Sequence, residues 1–150
     1  MTDCHYTSAG AWARRFHLAS RAMMERILRP YDLGATQWHV LNHLATSGPT
    51  RQRDFPKLLQ IEKPALSEVV ATLVRKGLVS QDPDIKDRRQ RLLSLTEEGA
   101  QLWADLPDPL VMIQGVAFEG IDRRTQEMVG SALRAATEQL NAHVQDADGK

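Results

Sequence analysis

Apolar residues recur along the first third of the chain at the three- and four-residue spacing of a helix. Trp12, Phe16, Ala19, Met23 and Ile27 form one such stripe within residues 11–29, and Pro30 ends the segment by biasing Arg29 away from helical geometry. Thr36 is placed to cap a second helix over 36–46, with Val40, Leu41 and Leu44 on its core face and Ser47-Gly48-Pro49 as its stop. Thr50 suggests another cap, opening a short helix to Leu59, although Pro56 would cost that helix a hydrogen bond in its interior. Pro64 suits the first turn of the next helix. Leu66, Val69, Val70 and Leu73 then follow the i, i+3, i+4, i+7 pattern, and Gly77 supplies the stop.

After Gly77 the period changes. Leu78-Val79-Ser80-Gln81 reads as a strand, residues 82–89 as a charged turn, and Arg91-Leu92-Leu93-Ser94-Leu95 as the returning strand of a two-stranded hairpin. Thr96 caps the following helix, with Glu97 and Glu98 at its positive end. Pro107 and Pro109 interrupt that helix, which resumes to Phe118. Gly120 and Asp122 introduce a last helix carrying Met128, Leu133 and Leu140, and residues 146–150 are expected to fray. The predicted class is mainly α with a small β-wing. A winged helix-turn-helix domain occupies 35–99, preceded by a helical segment over 1–34 and followed by another over 100–150.

Composition narrows the function. A chain of 150 residues, 42% hydrophobic and 25% charged, belongs with ordinary globular domains. One cysteine excludes a disulfide framework and a thiolate-rich zinc cluster, and it fits a reducing, cytoplasmic setting. No apolar run is long enough to span a bilayer, and the polar start MTDCHYTSAG lacks the core of a signal peptide, so no membrane partner is expected. Nineteen basic residues balance nineteen acidic ones, and that zero would ordinarily weigh against a nucleic-acid partner. The balance is uneven along the chain, however: net +2 over residues 1–50, +4 over 51–91 and −6 over 92–150. The basic block coincides with the predicted helix-turn-helix and hairpin.

That coincidence favours double-stranded DNA. The second helix of the pair, over 64–76, can enter a major groove with its N-terminal half over base edges. Lys63, Ser67 and Thr72 can contact phosphates or bases, and Ala65 can approach a thymine methyl. Pro64, Glu68 and Arg75 lie on the same segment. The turn of the hairpin holds Lys86, Asp87, Arg88, Arg89 and Arg91, and arginines on a thin hairpin can reach the narrow minor groove. Away from a helix-turn-helix, the same cluster would read as a solvated turn.

The run Asp87-Arg88-Arg89-Gln90-Arg91-Leu92-Leu93-Ser94-Leu95-Thr96, with Gly99 after it, resembles the wing signature of MarR-type transcriptional regulators, D-x-R followed by L-T-x-x-G. Ile61-Glu62-Lys63-Pro64-Ala65-Leu66, Leu73-Val74-Arg75-Lys76-Gly77-Leu78-Val79 and Thr36-Gln37-Trp38-His39-Val40-Leu41 resemble other segments of that family, in the correct order over 35–99. Pro56 departs from the family pattern. The resemblance implies a homodimer built by N- and C-terminal dimerisation helices, which reads a pseudo-palindromic operator and is expected to act as a repressor. It implies that Arg89 is the minor-groove arginine and that Asp87 braces the wing through ion pairing. No cofactor is implied.

The resemblance also implies a small, often aromatic or phenolic, effector bound between the DNA-binding and dimerisation parts. Trp12, Phe16, Trp38, His39 and His43 are the candidate residues for such a site. His39 and His43 share one helix face and can offer polar contacts, or can be core histidines satisfied by neighbours. Core packing is the simpler reading of Trp12 and Phe16. His39 and His43 also have the spacing of metal ligands, but the zinc-sensing members that the resemblance brings in add histidines on a later helix, and this chain has none between 97 and 118, so no metal site is assigned. A redox-responsive one would rest on Cys4, which has only His5 and Tyr6 beside it in sequence. Two other classes are weaker: a winged-helix module for protein–protein contact, against which the wing arginines argue, and an enzyme, for which no phosphate loop, nucleophile elbow or H-E-x-x-H is present.

Overall fold

The structure, a computed structural model, describes residues 4–149, with side chains from Tyr6 onward. The chain divides into two compact units, 1–109 and 110–150. In the first, α1 (Cys4–Thr7), α2 (Ala9–Leu28) and α3 (Ala35–Ser47) are followed by β1 (Thr50–Arg51), α4 (Phe55–Leu59), α5 (Lys63–Arg75), β2 (Val79–Pro83), β3 (Arg91–Leu95) and α6 (Glu97–Asp105). Next come α7 (Pro109–Ala117) and α8 (Arg123–Asp148). No helix of the described residues is long and apolar enough to cross a membrane.

The core of the first unit takes in the predicted stripes of α3 and α5, but from α2 it takes Met24 and Leu28 rather than the expected Trp12, Phe16, Ala19, Met23 and Ile27, none of which is buried. Leu28 of α2, Val40 and Leu41 of α3, Leu66, Val70 and Leu73 of α5, and Leu93 of β3 are all fully buried. Phe55 joins them from α4. In α5 the three buried positions fall one turn apart, so the opposite face, from Lys63 through Arg75, is left to solvent. Gly77 ends the connection with φ 75°, a left-handed conformation that a side chain resists.

Thr96 locks the hairpin to the helix behind it. Its hydroxyl accepts from the Gly99 N–H at 3.0 Å, capping α6, and donates to the Gly77 carbonyl at 2.6 Å. The approach is close enough that a Cβ at Gly99 would collide with the Leu78 carbonyl oxygen, so glycine is required there.

Several local expectations change. The sheet has three strands in the order β1-β3-β2, because Thr50 and Arg51 pair antiparallel with Leu93 and Leu92. Thr50 is therefore a strand residue rather than a cap, and its hydroxyl donates to the Gly48 carbonyl at 2.9 Å. Pro56 sits in the first turn of α4, where its missing N–H costs nothing. The helix over residues 35–47 is capped by Gly34, whose N–H donates to the Gln37 side chain at 3.3 Å, and Thr36 lies inside the helix. Pro30 follows the end of α2 but lies within a single 3-10 turn, Arg29–Tyr31. A clasp holds this corner to α5: the Lys76 ammonium donates to the Asp32 carbonyl and, at 3.2 Å, to Gln37 Oε1.

The second unit is different in kind. Asp122 caps α8 as expected, accepting the Thr125 N–H at 2.7 Å, and the helix runs to Asp148 instead of fraying at 146. Two i,i+4 pairs, Arg123–Glu127 and Arg134–Glu138, each at 2.9 Å, support its polar surface. No residue of α8 is buried. Val129, Leu133, Leu140 and Val144 nevertheless fall on one helical face, all exposed.

Candidate nucleic-acid interface

The exposed face of α5 carries Lys63, Pro64, Ala65, Ser67, Glu68 and Arg75, with Thr72 half-buried beside them. Ser67 donates to the Lys63 carbonyl at 3.1 Å and Thr72 to the Glu68 carbonyl at 3.0 Å. These bonds use the hydroxyl protons and leave the oxygens able to accept. Arg75 reaches Thr72 Oγ1 at 3.4 Å. In the wing, Lys86, Arg88, Arg89 and Arg91 are exposed and Asp87 is half-buried.

Helix and wing face one another across a groove of about 610 Å³. Lys63 and Ser67 line one side, Arg89, Gln90 and Arg91 the other, and Gln52, Arg53, Pro56 and Gln81 close the rest. Four cations therefore converge on one concavity with no carboxylate in its lining. Such a surface suits a polyanion, since each phosphate contact releases condensed counterions. The structure brings Lys63, Ser67, Arg89 and Arg91 together; Lys86 and Arg88 lie outside the groove, towards the hairpin tip.

Sequence reasoning missed three parts of this arrangement. Arg53 had no individual role, being one of ten basic residues in its block. Gln52 and Gln81 meet at 2.6 Å across the strands, a pairing that no spacing rule predicts. The third part is Asp84, which is 6% exposed. Its Oδ2 accepts from Arg51 Nε at 2.7 Å and its Oδ1 from the Lys86 N–H at 3.2 Å. The Lys86 amide, followed by the Arg51 guanidinium, holds this carboxyl below the usual carboxylate range against the opposing effect of burial. Arg51 thus spends its charge inside the protein. Asp87 accepts the Arg89 N–H at 3.1 Å, fixing the turn by a backbone hydrogen bond, while the ion pair joining the hairpin to β1 belongs to Asp84.

The residues considered for an effector are dispersed. Trp12 and Phe16 are exposed, so the core-packing reading fails for both; the Arg15 guanidinium lies 4.9 Å from the Trp12 ring centroid. Trp38 is buried, tilted against Trp103 at 5.5 Å and edge-on to His39 at 5.2 Å, and its indole N–H has no hydrogen-bond partner among the described residues. Burial, and then the Arg21 charge, lower the His39 pKa, which keeps the imidazole neutral at pH 7. His43 packs edge-on to Phe55 at 5.2 Å, so the two histidines have different aromatic neighbours. Among the described residues, no group of three or more His, Cys, Asp or Glu could hold a metal ion. The Cys4 side chain, on which a redox reading rests, lies outside the described residues.

Residues 31–90 match the sequence model of the MarR family. The fold is shared with solved structures. A cysteine-to-serine mutant of MarR from E. coli, complexed with operator DNA, superposes with a TM-score of 0.80 at 19% identity, covering 91% of this chain and 98% of that one. BpsR of Bordetella bronchiseptica, described as regulated in its DNA binding by 6-hydroxynicotinic acid, gives 0.79 at 23% identity over 88% and 94%. The PcaV transcriptional regulator of Streptomyces coelicolor, solved with its natural ligand, gives 0.74 at 24% over 89% and 94%.

Proposed function

We propose that this chain, whose residues 31–90 match the sequence model of the MarR family, is a homodimeric repressor of that family that binds a pseudo-palindromic operator. MarR-family proteins are regulators, not enzymes, and the chemistry asked of this one is recognition. In this reading residues 35–99 contact DNA, while 1–34 and 100–150 supply the dimer surfaces. The observation that carries it is the convergence of Lys63, Arg53, Arg89 and Arg91 on one groove beside the solvent face of α5. Lys63 and Ser67 hold phosphates at the start of α5, Ala65 and Glu68 face base edges, and Arg89 enters the minor groove. The exposed stripe Val129, Leu133, Leu140 and Val144 supports a second copy of the chain as partner.

The experiment is selection of duplexes from a random pool by the full-length protein. It should enrich a two-fold symmetric sequence with half-sites about 10 bp apart. Enrichment of nothing, or of a single unrepeated half-site, contradicts the reading.

An aromatic or phenolic acid is the proposed effector, acting as a releasing ligand. Support comes from the unpartnered Trp38 indole N–H, which an anionic or phenolic oxygen would satisfy, and from the neutral His39 beside it. The ligands named for BpsR and PcaV belong to those proteins and lend analogy only.

A further inference from the structure

The tip of the wing carries one side chain that its electrostatics does not explain. Ile85 is 94% exposed, more than any other large apolar residue described. It lies two residues after β2, in the turn over 84–90, which is closed on itself several times over. Asp84 is pinned from Arg51 and from the Lys86 N–H, and its own N–H donates to the Gln90 carbonyl at 2.9 Å. Gln90 N–H in turn donates to the Asp87 carbonyl at 2.9 Å. Ile85 is therefore held out in water on a preordered backbone, with the exposed cations Lys86, Arg88 and Arg89 beside it.

We propose that Ile85 is a specificity-determining residue that reads the minor groove flanking each half-site. The inference rests on the DNA-binding role of the wing. Lys86 and Arg88 take the phosphates on the rim while Arg89 enters the groove, which leaves the exposed Ile85 on the same turn to face the groove floor beside it. That floor is apolar along its sugar C–H walls and differs between base pairs chiefly by the guanine N2 amino group. A β-branched side chain with a stiff χ1 packs against the sugars at A·T pairs and collides with the amino group at G·C pairs. The ordering cost has already been met in folding, so burial of the side chain contributes fully to discrimination.

The test uses the full-length chain and the duplex it selects from a random pool, with the flanking pairs changed to A·T, G·C or I·C; inosine lacks the N2 amino group. Wild type should bind the A·T and I·C duplexes about five- to tenfold more tightly than the G·C duplex. Ile85→Ala should bind all three within about twofold, with the salt dependence of binding unchanged because no phosphate contact is lost. Ile85→Val, which keeps the β-branch, should retain most of the preference. An Ile85→Ala protein that keeps the full preference overturns the proposal, as does a wild type indifferent to the flanks. A wild type that enriches no duplex removes the DNA-binding reading itself, a result distinct from flank indifference.

Discussion

The two units of this chain solve the burial problem in opposite ways. Residues 1–109 enclose most of their apolar side chains, with Leu28, Leu41, Phe55, Leu66 and Leu73 fully buried within one chain, and leave Trp12, Phe16 and Leu18 of α2 exposed. The long α8 of the other unit buries nothing, and its stripe remains exposed, with Leu140 at 68%. An apolar face of comparable regularity is finished in one place and unfinished in the other. The first unit has the means to fold on its own contacts, whereas α8 carries an exposed apolar face, the surface that the proposed dimer would cover.

The largest effect should come from the finished core. Phe55→Ala empties a fully buried site and should cost about 3–5 kcal/mol of unfolding free energy, read by denaturant titration. Leu140→Ala should cost the isolated protomer almost nothing, and equal losses at the two positions would erase the contrast between the units. Next in size, Leu140→Asp should convert the proposed dimer to a folded monomer in sedimentation and lower operator affinity about 100-fold, because the two half-sites are then engaged independently. A variant that stays dimeric would move the interface elsewhere. Thr96→Ala should cost about 1 kcal/mol through the lost α6 cap.

The smallest effect is a pH dependence inside the finished unit. The folded His39 pKa lies below its ordinary value of 6.5, so the native state prefers the neutral ring. Its contribution to stability is complete above that value and declines as pH falls through the unfolded pKa towards the folded one. His39→Gln should flatten the stability profile in that acid window, and an unchanged profile would show that His39 is not the group responsible.

The elements legible in the sequence were those with a period or a cap. Leu66, Val70 and Leu73 announced α5; Thr96 and Asp122 announced the starts of α6 and α8; the D-R-R-Q-R run announced the wing. Strand β1 was not legible, because two residues carry no alternation, and Thr50 is as good a cap as it is a strand residue. Arg51–Asp84 was hidden for another reason: the partners lie 33 positions apart, and in the charge tally Arg51 looked like part of the DNA surface. The groove shared by Arg53, Gln52 and Gln81 exists only once the sheet is assembled. The exposure of Trp12 and Phe16 was likewise invisible, since a helical stripe does not say whether its own chain or a partner will cover it.

The central claim is that the groove between α5 and the wing holds duplex DNA. Its most direct test is the salt dependence of affinity for the selected duplex, measured by fluorescence anisotropy for wild type and Arg89→Ala. The account predicts weaker binding by about tenfold and a salt slope shallower by about one unit for each half-site contacted. Identical affinity and slope in the two proteins would contradict it.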